Sequence, residues 1–406
     1  MLAGRHLTAV VLGLVVGTGA GLALQSAVAT AAPVVTRPTA PAAAPEPKPV
    51  TARPHRAAQP RVAIPAPCRR PAPTTAAGYQ RMFDAKNDAS WAGGDQAATV
   101  ALPDGRVLWL FGDTVRGHRL PTGARAAGSR MVHNSLLVQT GGCLTAVAAR
   151  REVIPSRPDG QWYWPQTGVV IGDRVVVLCS RVQRTGPGAF DFRTTGVDAA
   201  VFTLSKGLPR FVGMAATPSS HSPESDFQFG AAIVADGPWL DVYGSRKLPG
   251  SFGREVAVAR VRPQSLLRPA AWRFWDGQRW QGPSVSAHPA VVARGWSSAF
   301  SVWRSRDGGV HAVTKEHDVF GRAVISGTAA SPVSAFSRTV VADAPTGHGR
   351  YLYNALAHPE LRLADGSLLV SVCRNSADLK AVWADAGLYK PQFIAVRAGG
   401  RPPTRG

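Results

Sequence analysis

Four cysteines in 406 residues, none in a C-x-x-C pair and none clustered with histidine, leave no metal site written in this sequence. No G-x-S-x-G elbow, Walker loop or dinucleotide fingerprint occurs either. The usual sequence grounds for an α/β hydrolase, a nucleotide hydrolase or a Rossmann oxidoreductase are therefore missing. Long helical periodicity is scarce, and beyond residue 24 no apolar run is long enough to cross a bilayer. Acidic residues are few: 25 Asp and Glu face 46 Lys and Arg, a formal charge of +21. That excess invites a nucleic-acid reading, which the pattern of the charges opposes. Residues 1–77 hold eight of the basic residues against one acid, and the other arginines are scattered, with no Lys/Arg run and no RNA-binding motif. No nucleic-acid partner is expected; a basic exterior favours association with an anionic cell envelope.

What is present begins with an export pattern. Arg5 and His6 precede the apolar run 7–24, and small residues follow at Ala27-Val28-Ala29 and Ala29-Thr30-Ala31. Charge, apolar stretch and A-x-A in that order mark residues 1–32 as a secretory signal, with an uncleaved anchor as the alternative. Residues 33–77 are dominated by Pro, Ala, Thr and Arg, a composition that buries too little apolar surface to order itself and reads as a disordered linker. A folded domain is expected over 78–400, with a short disordered tail at 401–406, and the protein is expected to be a secreted or envelope-associated monomer. In an exported chain the four cysteines allow three pairings. Cys179 and Cys373 sit in strand-like runs and Cys68 and Cys143 in turn-rich sequence, so like-with-like is one of the three.

Within the domain one unit recurs: apolar alternation, a tight turn with Gly and often Asp, then a second apolar alternation. It appears at 99–113, 168–181, 231–246, 300–316 and 359–375. The turn glycines Gly105, Gly172, Gly237, Gly308 and Gly366 are separated by 67, 65, 71 and 58 residues. Such turns mark hairpins because Gly accepts the positive φ they demand. Each unit leaves room for two further strands, such as 254–261 and 321–329. Five four-stranded units predict an all-β, five-bladed β-propeller rather than a two-sheet sandwich. The last strand, 391–398, is expected to close the ring against sequence near Tyr79 to Phe83.

Asp95 opens the first hairpin and Asp113 ends it, each nine residues from Asp104 in the turn. A three-residue loop, Pro103-Asp104-Gly105, pairs Leu102 with Arg106 and sets Asp95 opposite Asp113, with Cβ atoms about 4.5–5.5 Å apart. Two like charges at that range push their pKa values apart, leaving one carboxyl a proton donor and the other ionised. Cleavage of a glycosidic bond requires such a pair, and the separation decides between retention and inversion. The competing role is structural, since Asp beside Gly often binds nearby backbone amides.

Other residues join the candidate site by position. Tyr163 and Trp164, on the Pro-containing entry to the second hairpin, present faces on which a sugar ring can stack. Asn354 and His358 lie just before the fifth hairpin, where Asp95 stands in the first, and would hydrogen-bond sugar hydroxyls; a core role for His358 competes. Asn134 would orient a carboxylate or cap a turn. Arg181 and Arg246 end equivalent strands and would face the same pocket or solvent. Trp272, Trp275 and Trp280 read as packing, and Ser305-Arg306-Asp307-Gly308-Gly309 as a simple turn.

The stretch WAGGDQAATVALPDGRVLWLFGDT at 91–114 resembles the opening blade of bacterial five-bladed glycoside hydrolases that include endo-D-arabinanases. HNSLL at 133–137, WYWP at 162–165, WRFWDGQRW at 272–280 and YNALAHPEL at 353–361 extend the likeness over roughly 80–397. The resemblance implies catalysis by Asp95 and Asp113 on a furanose-rich cell-wall polysaccharide, with D-arabinan the foremost candidate. Two positions depart from the pattern. Gln166 follows WYWP where a small or acidic residue is expected, and is included among the sugar contacts. Ala299 stands where similar chains often carry Glu, which keeps open a non-catalytic carbohydrate-binding propeller. No cofactor is implied; some sugar-cleaving propellers hold calcium in the central channel, but no ligand cluster here demands it.

Overall fold

The computed structural model describes residues 68–188, 190–204, 207–283, 288–344 and 349–397. The expected signal, most of the linker and the tail lie outside the described residues. Helix α1 (Ala76–Ala85) precedes five antiparallel groups of strands. The first comprises β1 (Gly93–Ala101), β2 (Val107–Arg116), β3 (Arg130–Val132), β4 (Ser135–Thr140) and β5 (Cys143–Ala146). The second is β6 (Trp162–Ile171), β7 (Arg174–Arg184), β8 (Phe192–Thr203) and β9 (Arg210–Ala216). The third is β10 (Gln228–Asp236), β11 (Trp239–Lys247), β12 (Arg254–Val261), β13 (Arg273–Trp275) and β14 (Trp280–Gln281). The fourth is β15 (Val291–Arg304), β16 (Val310–Glu316), β17 (Ala323–Ala329) and β18 (Thr339–Asp343), joined to the third because the start of β15 pairs with β12. The fifth is β19 (Arg350–Arg362), β20 (Leu368–Ser376) and β21 (Pro391–Val396), with α2 (Leu379–Ala384) between the last two.

The first strands of the groups form a ring: β1 packs beside β6, β6 beside β10, β10 beside β15, β15 beside β19, and β19 returns to β1. Five apolar clusters fill the spaces between neighbouring groups. Each is built by period-two alternation, as when Leu108, Leu110, Val175 and Val177 meet between groups one and two. Each fully buried large side chain contributes about 1.5–3 kcal/mol. The architecture is all-β and propeller-like. The turn glycines behave as their sequence context requires: Gly105, Gly172, Gly237, Gly308 and Gly366 have φ of 81°, 60°, 55°, 88° and 75°.

Two sequence expectations are corrected. The body begins before residue 78. Cys68 is disulfide-bonded to Cys143, Ala364 donates its backbone N–H to Thr74, and Thr75 caps α1, accepting from Gly78 N at 3.0 Å. Composition hides this because the tethers lie far along the chain. Cys179 and Cys373 do not pair; each is buried in a different cluster. The last strand does meet the segment around Tyr79 and Phe83, which is helical. Both rings pack on Phe393, at 6.0 and 5.0 Å, and Gln80 accepts the Phe393 N–H at 3.2 Å.

A thiol titration checks the cysteine assignment. We expect no reactive thiol in the native protein and two after unfolding without reductant; four would remove the disulfide. Cys143→Ser should lower the unfolding free energy by about 2–4 kcal/mol in urea.

Candidate active site

Every inner strand departs from its ladder at an equivalent point. The shifts lie between Gln96 and Ala98, Pro165 and Thr167, Phe229 and Ala232, Trp296 and Phe300, and Tyr353 and Leu356. Gln96, Ala97 and Asn354 adopt positive φ at these places, 72°, 59° and 49°. A bulge re-aims its side chain out of the pleat. Here the residues at the bulges, Gln96, Gln166, Ala231, Ser298 and Asn354, line one cavity of about 550 Å³ to which all five groups contribute. Asn354 Nδ2 donates to Gln96 Oε1 and Gln96 Nε2 donates to Gln166 Oε1, both at 3.1 Å. This amide chain crosses groups five, one and two as a floor. A second cavity of about 340 Å³, lined by later residues of the same inner strands, shares Gln166 and Ala231 with the first.

The first hairpin brings Asp95 and Asp113 together by a less direct route than simple register. Pairing runs from Ala101↔Val107 to Ala98↔Leu110 as expected. The extra residue Ala97 then shifts β1, and an extra residue on β2 restores the register at Gly94↔Thr114, so Asp95 faces the Gly112-Asp113 step. A Cβ on Gly112 would stand 2.6 Å from Asp95 Oδ1, which accounts for the glycine of the FGD motif. Tyr353 and Tyr389 both donate to Asp95 Oδ2, at 2.7 and 2.9 Å. Trp164 Nε1 donates to Asp113 Oδ1 at 2.9 Å, and His133 Nδ1 lies 3.2 Å from the same oxygen, its ring stacked on Trp162.

Among the described residues neither carboxylate pairs with a Lys or Arg. Burial raises the pKa of Asp95 first and the Asp113 charge second, against the two tyrosine hydroxyls, and brings it to about 7. The other acids of the cavity are neutralised: Glu224 by Lys247 at 3.2 Å, Asp318 by Arg254 at 3.1 Å.

Of the residues selected from sequence, Asp95, Asp113, Trp164, Gln166 and Asn354 line this cavity. Five do not. Asn134 is fully buried, donating to the Ile154 and Tyr163 carbonyls and accepting from Ile154 N. Tyr163 points to the core, its hydroxyl donating to Asp198 at 2.9 Å, because strand alternation gives the cavity to Trp162 and Trp164. Arg181 is buried against Asp198, Thr195 and the Ser220 carbonyl. Arg246 pairs with Glu255 over the Phe227 ring. His358 is a core histidine, its ring nitrogens 2.9 Å from Thr99 and Ser371 hydroxyls, and burial lowers its pKa to about 3. Ala299 packs in the core, and its neighbour Ser298 takes the cavity position. Sequence reading missed His133, Tyr353, Tyr389 and Gln96. The first two stand at the heads of HNSLL and YNALAHPEL, whereas Tyr389 carries no local signal.

The fold and site together define a propeller-like domain with a carboxylate pair facing a central cavity. A family model described as a domain of unknown function (DUF5005) matches residues 77–398, and the chain belongs to that family. No curated protein matches its sequence. Among solved structures it is similar to a presumed hydrolase from Bacteroides ovatus, at 20% identity and a TM-score of 0.64 over 79% of this chain and 89% of that one. That likeness is one of fold. A GH43_1 enzyme from Xanthomonas citri complexed with xylotriose is more distant (13%, 0.43, 79% and 93%). So is a GH43 endo-arabinanase from Bacillus licheniformis (12%, 0.40, 76% and 96%).

The pKa of Asp95 stands above the ordinary 3.8, so folding takes up a proton between that value and about 7. The resulting stability is fully present below this window and is lost as pH rises through it. Asp95→Asn should therefore raise the unfolding free energy by roughly 1–3 kcal/mol at pH 8 and leave it close to wild type at pH 4. Urea titrations at both pH values check this; no gain at pH 8 would mean that burial does not hold the proton.

Proposed function

We propose that this chain is an exported glycoside hydrolase on a five-bladed propeller, cleaving a furanose-rich cell-wall polysaccharide. One observation carries the reading: two adjacent carboxylates with no Lys or Arg partner among the described residues, one holding its proton near neutral pH, in an open cavity where the other acids are ion-paired. The elevated group suits proton donation at neutral pH. Asp95 gives its proton to the glycosidic oxygen as the bond to the anomeric carbon breaks. Asp113, its Oδ1 held by Trp164 and His133, presents Oδ2 to the opposite requirement, as nucleophile or as base for a water. Trp164 meets Phe192 edge-to-face at 4.8 Å and offers sugar a wall, while Gln166 and Asn354 offer amides to hydroxyls. The first-hairpin motif supports D-arabinan as substrate. The export pattern of residues 1–32 and the proline-rich segment after it support a monomer secreted or held at the envelope.

Incubating the purified protein with arabinan and arabinogalactan tests the reading. Wild type should release oligosaccharides, and Asp95→Asn and Asp113→Asn should each lose at least a hundredfold in kcat. Cleavage that survives both changes, or none on any plant, fungal or mycobacterial glycan, refutes it. The rate should fall as pH rises through about 7, where Asp95 loses its proton. Tyr389→Phe, which removes a hydroxyl that favours the carboxylate, should move that fall to higher pH.

A further inference from the structure

Exposed large apolar side chains are few among the described residues, and the three aromatic ones, Phe190, Phe252 and Phe320, all border the same cavity. Phe252 and Phe320 are 60% and 50% exposed, with ring centroids 4.2 Å apart and planes at 45°. Two separate loops bring them together, one between β11 and β12 and the other between β16 and β17. Beneath the rings Arg254 pairs with Asp318 at 3.1 Å, and Ser297 donates to the same carboxylate at 2.9 Å, tying the two loops. A Cβ on Gly253 would stand 2.6 Å from Gly295 Cα, so the loop seats closely on β15. Exposed rings on anchored loops lose apolar contact with nothing in return unless a ligand covers them.

Groups three and four, which carry this pair, stand across the ring from group one, which carries Asp95 and Asp113. We propose that Phe252 and Phe320 form a distal platform for a neutral oligosaccharide whose chain crosses the cavity from the carboxylate pair. The proposal rests on the hydrolase reading. Apolar C–H faces of a sugar ring match the phenyl rings. Of the cations that line the cavity among the described residues, Lys247 pairs with Glu224 and Arg254 with Asp318, while Arg184, in the second group, donates to the Gly186 and Gly188 carbonyls, so an ionised sugar gains no uncommitted counter-charge at the platform. The platform thus selects chain length and neutrality, leaving bond cleavage to the opposite wall.

The test uses the full protein, with arabinan as the polymer and 4-nitrophenyl arabinofuranoside as the short glycoside. Phe252→Ala with Phe320→Ala should lower the ratio of kcat/KM on polymer to that on the short glycoside five- to tenfold. In native gels containing arabinan, the Asp113→Asn protein should be retarded and should run free once both phenylalanines are also removed. Phe252→Tyr with Phe320→Tyr should restore retardation, which excludes a folding defect. An unmoved ratio with undiminished retardation, or an Asp113→Asn protein that arabinan does not retard, overturns the platform. Retardation that depends on the rings without cleavage of either substrate upholds the platform and refutes the hydrolase reading.

Discussion

The first strands of the groups pack in a ring around one cavity, and each presents a residue to it where its ladder breaks. Each inner strand gives up its ladder for one to three residues at the same level, and the cavity is what those interruptions enclose. The unpaired backbone and positive φ cost stability locally, a cost that native bulges repay by aiming a residue. Gln96, Gln166 and Asn354 then satisfy one another, so the floor consists of polar groups held in place without charge. The carboxylates depend on the same device, since the bulge at Ala97 and its compensation on β2 bring Asp95 against the Gly112-Asp113 step.

Charge is managed differently on the two sides of the inner strands. Inside the wall, Asp198 is matched by Arg181, Tyr163 and Ser220, and Glu255 by Arg246 and Arg294. At the first hairpin the protein supplies hydroxyl, indole and imidazole groups to carboxylates that receive no Lys or Arg. A cation would have lowered the pKa of Asp95 and removed the proton at neutral pH. Neutral donors fix its orientation while leaving burial and Asp113 to dominate its titration.

The hairpins were legible because their signal is local: a turn that needs positive φ takes Gly, and alternation follows from the pleat. The Asp95–Asp113 neighbourhood was legible for a partly different reason from the real one, since symmetry about Asp104 survives only because two bulges cancel. Facing was the illegible part. Sequence position points to Arg181 where Ser180 lines the cavity, to Arg246 where Ser245 and Lys247 do, and to Tyr163 where Trp162 and Trp164 do. Each miss is a slip of one residue, and one residue reverses the face. Arg181 and Arg246 do end equivalent strands, but both strand-end arginines serve buried acids here. Tyr389 was beyond reach, because it meets Asp95 from 294 residues away in sequence.

The two tyrosines share a single oxygen of Asp95, and that choice has a chemical consequence. Hydrogen bonds from both hydroxyls lower the proton affinity of Oδ2, so the proton of the neutral acid belongs on Oδ1. Oδ1 is the oxygen that lies against Gly112, where any larger residue would intrude at 2.6 Å. The glycine of FGD and the two distant tyrosines therefore act on one carboxyl: they give its two oxygens different surroundings. Proximity alone would place two acids at a cavity; under the hydrolase reading proposed above, this asymmetry is what suits them to different roles.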